Sequence, residues 1–135
     1  MIRYLLDTDT CSYFLKTGKA SLRRRVRAGM MGGSLAISVI TRAELRYGLE
    51  FLPSDHFLRV LVNSFLQQIQ VLAWTEAAAD EYARLAAGMK RTGKPIGILD
   101  TQIAAQALAE NLVLVTNNTR HFGAVHGLKI ENWTV

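Results

Sequence analysis

The sequence has a single cysteine, only three histidines and no long apolar run. With Cys11 alone, an intrachain disulfide and a cysteine-based zinc site are both excluded. No apolar run is long enough to cross a bilayer, and acidic residues stand where a signal peptide would need its apolar core (Asp7 and Asp9). The histidines are scattered and form no ligand pair for zinc (His56, His121 and His126). We therefore expect a cytoplasmic protein without a membrane segment.

The bulk composition is that of a folded domain with a moderate excess of positive charge. The chain has 135 residues, of which 50% are hydrophobic and 20% are charged, enough to bury a core within one domain spanning residues 1–135. Sixteen basic residues against eleven acidic ones give a net charge of +5. This charge suits a polyanionic partner such as nucleic acid, although many basic proteins bind none.

Short apolar runs alternate with longer amphipathic segments along the chain. The runs predict strands ending at Leu6 and covering residues 35–38, 69–72, 112–115 and 128–133. The longer segments predict helices at 20–28, 39–51, 54–67, 75–89 and 96–110, with a short helix or turn at 11–17. Strands that alternate with helices predict an α/β domain, with a central five-stranded parallel sheet and helices on both faces.

Polar side chains follow the ends of two predicted strands. Asp7 comes directly after the first apolar run, and Thr116 and Asn118 follow the most apolar run of the chain. Ligands of open parallel sheets bind just beyond the carboxyl ends of the strands. The sequence therefore places a candidate site at this edge, organised around Asp7.

An acid interrupts the apolar pattern of the predicted helix 39–51. Ile40, Glu44, Tyr47 and Phe51 are spaced so that they share one helix face, which puts a carboxylate into an apolar stripe. A buried carboxylate needs a partner, so a positive group is expected opposite Glu44. Thr41 and Glu44 also match a capping box, in which the acid reaches back to the helix N-terminus.

A second acid begins the apolar face of the predicted helix 96–110. Asp100 shares that face with Ile103, Ala104 and Ala107. The alternative is an ordinary first-turn aspartate, which the helix dipole stabilises. The alanines behind Asp100 indicate that this helix packs closely against the sheet.

Asp7, Glu44 and Asp100 can converge on one crevice of a doubly wound sheet. Carboxylates in one crevice repel each other unless a cation neutralises them or they take up protons. Oxygen ligands alone suit Mg²⁺ or Mn²⁺ rather than zinc. Such a cation can bind phosphate and activate water, so the basic chain around it indicates hydrolysis of nucleic acid.

Five stretches of the sequence, in this order, carry a resemblance to a known family. They are residues 5–8, 38–48, 95–105, 114–122 and 131–133, and they run nearly end to end. They resemble PIN-domain ribonucleases, and in particular the VapC toxins of type II toxin–antitoxin pairs.

The resemblance implies a five-stranded parallel sheet and an Mg²⁺- or Mn²⁺-dependent endoribonuclease, often acting on structured RNA such as tRNA. It also implies inhibition by a small VapB-type antitoxin, a homodimer and a hetero-oligomer with the antitoxin. By the family pattern Asp7, Glu44 and Asp100 are the metal-site acids, and the hydroxyl of Thr116 orients a ligand or water. The fourth acidic position falls on the neutral Asn118, which implies one firm metal site.

Two other functions remain open at this point. Asp7-Thr8-Asp9-Thr10 after an apolar strand resembles the nucleophile motif of haloacid-dehalogenase-type phosphatases, but only this one motif matches. A non-catalytic PIN scaffold that binds RNA or a partner is the other alternative, and Asn118 is the residue that favours it. Metal-dependent RNA cleavage would distinguish the enzyme from the scaffold.

Overall fold

A computed structural model describes residues 1–16 and 18–135 of the chain. Within them the strands are β1 (Tyr4–Leu6), β2 (Leu35–Ser38), β3 (Gln70–Leu72), β4 (Val113–Val115) and β5 (Ile130–Glu131). The helices are α1 (Thr8–Lys16), α2 (Ala20–Met31), α3 (Val39–Leu49), α4 (Phe57–Gln68), α5 (Glu76–Thr92), α6 (Ile98–Ala109) and α7 (Thr119–Phe122).

The strands form one parallel sheet in the order β3-β2-β1-β4-β5. The central strand β1 pairs with β2 on one side and with β4 on the other, so that Leu5 lies opposite both Ala36 and Leu114. The chain fills one side of the sheet first and then returns to the other side of β1. This change of direction beside β1 is the position where open α/β sheets bind ligands. The predicted five-stranded parallel sheet is confirmed.

Each face of the sheet carries its own buried core. Because successive side chains of a strand point to opposite faces, Leu6 joins the core under α1 to α4, whereas Leu5 joins the core under α5 to α7. Phe65 is a large member of the first core, and Phe122 is a large member of the second. The prediction of helices on both faces is confirmed.

The apolar face predicted behind Asp100 is also confirmed. Ile103, Ala104 and Ala107 of α6 are completely buried. The small side chains let α6 approach the sheet closely, which fixes the position of its first turn.

The predicted apolar stripe through Glu44 is wrong in part. The side chains of Tyr47 and Phe51 are 68% and 71% exposed, and the buried face of α3 consists of Thr41, Leu45 and Leu49. Residues 39–51 contain two sets of apolar positions at helical spacing, and spacing alone does not tell which set faces the sheet.

Several predicted boundaries also shift. α3 begins after Ser38, whose side chain accepts a hydrogen bond from the Ile40 N–H at 3.0 Å, so the capping box at Thr41 does not form. The first helix begins at Thr8 rather than at residue 11, and residue 17 of the predicted segment 11–17 lies outside the described residues. The last strand keeps only Ile130–Glu131 of the predicted 128–133. Among the helices described here, none is both long and apolar enough to cross a membrane.

Candidate active site

Asp7 lies at the carboxyl end of the central strand and is held by two hydrogen bonds. Its Oδ1 accepts from the backbone N–H of Thr10 at 2.9 Å, and its Oδ2 accepts from the hydroxyl of Thr116 at 2.6 Å. The first donor belongs to α1 and the second follows β4, so two neighbouring parts of the fold fix the carboxylate. Only 2% of Asp7 is exposed.

Two hydrogen bonds connect Asn118, Thr116 and Asp7. The backbone N–H of Asn118 donates to Thr116 Oγ1 at 2.9 Å, and the Thr116 hydroxyl donates to Asp7 Oδ2. Thr116 is completely buried, so in this arrangement its hydroxyl orients Asp7. Asn118 joins the site through its backbone, while its side chain makes no capping hydrogen bond to α7.

Glu44 reaches the same edge from α3. Its Oε1 accepts from the hydroxyl of Thr8 at 2.7 Å, and Thr8 also contacts the hydroxyl of Thr41 at 3.0 Å. In the described part of the chain no basic side chain forms an ion pair with Glu44. Glu44 is half-buried, and the charges that act on its pKa are those of other acids, so the positive group expected opposite it does not come from these side chains.

Asp100 approaches from the first turn of α6. Its Oδ2 lies 3.0 Å from Nε2 of His121, a residue of α7. The Asp100 side chain is 39% exposed and faces the same crevice as the other acids. The three acids predicted from the sequence are therefore brought to one edge of the sheet by three different elements.

Burial and the charges of neighbouring acids raise the pKa of all three carboxyls. Desolvation is the largest cause for Asp7, Glu44 and Asp100 alike. Hydrogen bonds from Thr10 and Thr116 oppose the rise in the pKa of Asp7, and the hydrogen bond from Thr8 does so for Glu44. His121 lowers the pKa of Asp100 but does not cancel the effect of burial.

Asp9 belongs to this acidic group, although the sequence did not predict it as a residue of the site. It lies exposed in the first turn of α1, and its charge raises the pKa of Asp7, Glu44 and Asp100. Its position two residues after Asp7 was a usable signal, because both residues flank the start of one helix. His121 was also missed, since its contact with Asp100 depends on how α7 packs against α6.

The donor set fits a hard divalent cation held partly through water. Among residues 1–16 and 18–135 no three His, Cys, Asp or Glu side chains are close enough to hold one metal ion directly. Mg²⁺ commonly uses one or two carboxylates, keeps several waters and takes further ligands from substrate phosphates. Such an ion would reduce the repulsion between these carboxylates and so lower their raised pKa values. The residues present therefore fit Mg²⁺ or Mn²⁺, which can keep several water ligands, better than a metal ion whose ligands are all protein side chains.

A groove of about 240 Å³ runs from this crevice between α1, α3 and α4. Its two charged residues are Glu44, beside the crevice, and Lys16, at the end of α1. The remaining lining is mostly apolar and consists of Thr8, Ser12, Leu15, Leu45, Gly48, Leu49, Leu52, Leu58 and Val62.

Comparisons with a family model, with curated relatives and with solved structures all indicate the same family. A family model described as the PIN domain matches residues 4–128. The chain is 36% identical to the "tRNA(fMet)-specific endonuclease VapC" of Shigella flexneri, over 99% of this chain and 100% of that protein. It is 35% identical to "Ribonuclease VapC2" of Haemophilus influenzae, over 98% of this chain and 99% of that protein.

Solved structures agree with these relatives. The DNA-bound VapBC of Salmonella typhimurium contains a chain that matches with a TM-score of 0.91 and 34% identity, covering 98% of this chain and 99% of that one. VapBC2 of Rickettsia felis, bound to a DNA fragment from its promoter, matches with a TM-score of 0.89 and 31% identity over the same shares. The chain thus belongs to the PIN-domain family and, within it, to the VapC ribonucleases.

Proposed function

We propose that this chain is a divalent-metal-dependent endoribonuclease and the toxin of a type II toxin–antitoxin pair. The observation that carries the proposal is the convergence of Asp7, Glu44 and Asp100 at the carboxyl edge of the central strand, each with a raised pKa. The nuclease names of relatives that share more than a third of its residues support it. The phosphatase alternative is excluded because the PIN-domain family model matches residues 4–128.

The proposed cation is Mg²⁺ or Mn²⁺, and Asp7, Glu44 and Asp100 would hold it partly through bound water, with Asp9 adding negative charge nearby. When bound, a divalent cation neutralises charge on the phosphodiester and makes a water molecule more acidic. Asn118 is neutral and cannot supply a fourth charge, so we propose one firm site. A second ion would depend on the phosphates of the RNA.

Two threonines orient these acids, and one of the acids accepts a proton. Thr116, supported by Asn118, holds Asp7, and Thr8 holds Glu44. Glu44 is half-buried and lies beside the open groove, so it is the acid best placed to accept a proton from a water molecule in the crevice. Asp7 is buried and held by hydrogen bonds, so it does not accept this proton. It supplies fixed negative charge for the cation instead.

The substrate class is RNA, and tRNA is the first candidate. One relative is named for cleavage of tRNA(fMet), and the net charge of +5 favours approach to a polyanion. The acidic crevice itself repels phosphate, so productive binding of RNA requires the cation.

Cleavage of purified tRNA tests the proposed activity. We expect cuts with Mg²⁺ or Mn²⁺ that disappear with EDTA and in the variant Asp7→Asn. Absence of cutting by folded, antitoxin-free protein would favour the non-catalytic scaffold. Cutting that persists in Asp7→Asn would show that Asp7 is not part of the site.

The proposed partner is a VapB-type antitoxin, because solved structures similar to this chain are VapBC complexes. The groove beside Glu44 suits an apolar segment that places an Arg or Lys at the crevice, where it would replace the cation. An inhibited complex without a basic side chain at the crevice would contradict this. We further propose that residues 1–135 act as one domain and that the toxin forms a homodimer and a hetero-oligomer with its antitoxin.

A further inference from the structure

His121 makes two contacts at the crevice with one ring nitrogen. Its Nε2 lies 2.8 Å from the carbonyl oxygen of Ile96 and 3.0 Å from Oδ2 of Asp100. A carbonyl oxygen only accepts hydrogen bonds, so Nε2 must carry the hydrogen and share it between the two oxygens. The imidazole therefore donates to Asp100 whether or not its other nitrogen is protonated.

The ring itself is held firmly. His121 packs edge-to-face on Phe122, with ring centroids 5.5 Å apart, and Phe122 is buried in the core under α5 to α7. The bond to Ile96 ties the same ring to the segment just before α6. The position of the donor is thus set by the core rather than by solvent.

Asp100 needs such a restraint more than Asp7 does. It is partly exposed, and its carboxylate can rotate toward bulk water unless a donor holds it. A carboxylate that binds a metal is commonly fixed by a hydrogen bond to its other oxygen, and loss of such a partner typically costs 10- to 100-fold in metal affinity or activity. With Oδ2 engaged by His121, Oδ1 of Asp100 is the oxygen left for a cation.

We propose that His121 is a positioning residue, whose Nε2–H orients the Asp100 carboxylate for the cation of the active site. This inference rests on the proposed function. The helix α7 then controls two of the three acids, because Asn118 at its start supports Thr116 and Asp7, while His121 holds Asp100.

The test compares His121→Gln with His121→Met in the full-length chain. The two side chains have similar size, but only glutamine offers an N–H at about the place of Nε2. Calorimetric titration with Mn²⁺ alone, without RNA, gives the dissociation constant, and single-turnover cleavage of tRNA gives the rate. His126→Ala is the matched control, since His126 is an exposed histidine four residues beyond α7.

We expect His121→Met to weaken Mn²⁺ binding about tenfold or more and to slow cleavage similarly, while His121→Gln recovers most of both. His126→Ala should match the wild type. Equal Mn²⁺ affinity in the Met variant and the wild type would overturn the inference, as would equal losses in the Met and Gln variants. If the wild type binds no Mn²⁺ and cuts no RNA, the proposed function itself fails, and this inference fails with it.

Discussion

Asp7 shows how a buried carboxylate keeps its charge available for a ligand. Its donors, the Thr10 N–H and the Thr116 hydroxyl, are neutral, so they orient the oxygens without cancelling the charge. A lysine or arginine in their place would neutralise Asp7 and remove the need for a cation. Burial raises the pKa of Asp7, and the hydrogen bonds from these two donors lower it without cancelling the rise.

Replacement of Thr116 by valine tests the orientation of Asp7. Thr116→Val leaves Oδ2 of Asp7 without its donor in a buried place and the partly buried Asn118 N–H without its acceptor. We expect cleavage to slow about tenfold or more. Stability in urea should fall by about 1–3 kcal/mol, the usual result of leaving a buried polar group unpaired. Thr116→Ser keeps the hydroxyl and should retain most of both properties, and a Val variant that cleaves like the wild type would contradict the assigned part of Thr116.

The sequence allowed prediction of the acids that stand at marked positions. Asp7 ends an apolar strand and Asp100 begins an apolar helix face, and both positions have recognisable local patterns. His121 has no such pattern, because its contact with Asp100 joins residues from different elements. Glu44 was predicted in the right place, but partly from a wrong premise. The apolar stripe that it was assigned to includes Tyr47 and Phe51, which are exposed.

At the scale of the element, the segment before α6 decides where Asp100 points. Gly97 has φ of 97° and ψ of 154°, and its carbonyl accepts from the Thr101 N–H at 3.0 Å. This backbone conformation strongly favours glycine. The turn brings Ile96 beside His121 and starts α6 with Asp100 at the crevice.

Gly97→Ala should therefore disturb both stability and activity. We expect a loss of about 1–3 kcal/mol in the free energy of unfolding, measured with urea, because alanine is strained at this φ. Cleavage should slow as α6 and Asp100 shift. Gly88→Ala is the matched control: it lies within α5 where an added Cβ meets nothing within 4 Å, so it should be neutral or stabilising by about 0.5–1 kcal/mol. Equal stability of the two variants would contradict this explanation of Gly97.

Elements with one clear apolar pattern were predicted well, and ambiguous ones were not. The runs at β2 and β4 are short, apolar and bounded by polar residues, which fixes them as buried strands. In α3 two apolar stripes compete, and only the packing against α1 and α4 shows that Leu45 and Leu49 face inward. The first helix was placed too late because Thr8 and Thr10 are poor helix formers that bond within the site.

In the whole molecule, the charge of the crevice is opposite in sign to the net charge of the chain. A chain with a net charge of +5 gathers Asp7, Asp9, Glu44 and Asp100 in one place, where the charge of Asp9 raises the pKa of the other three. Burial of these charges therefore lowers the stability of the cation-free chain at neutral pH, and the proposed cation would offset this loss because it would bind only the folded chain.

The pH dependence of Glu44→Gln tests this cost. Folding raises the pKa of Glu44 above its ordinary value near 4.5, so the folded chain holds this proton to higher pH than the unfolded chain does. The stability of the wild type relative to the variant should thus fall as pH rises from about 4.5 through the raised pKa, and then level off. Urea unfolding at a series of pH values in EDTA measures the difference, which Mn²⁺ should reduce. A difference that does not change with pH would show that the charge of Glu44 carries no such cost.

The most direct test of the account is calorimetric titration of the purified, antitoxin-free chain with Mn²⁺. We predict one firm site in the wild type, binding weaker by about tenfold or more in Asp7→Asn, and a smaller loss in Asp9→Asn. Asp55→Asn is the control, because Asp55 is an exposed aspartate in the turn before α4, and its affinity should equal that of the wild type. Equal Mn²⁺ affinity in Asp7→Asn and the wild type would contradict the claim that the cation site is built around Asp7.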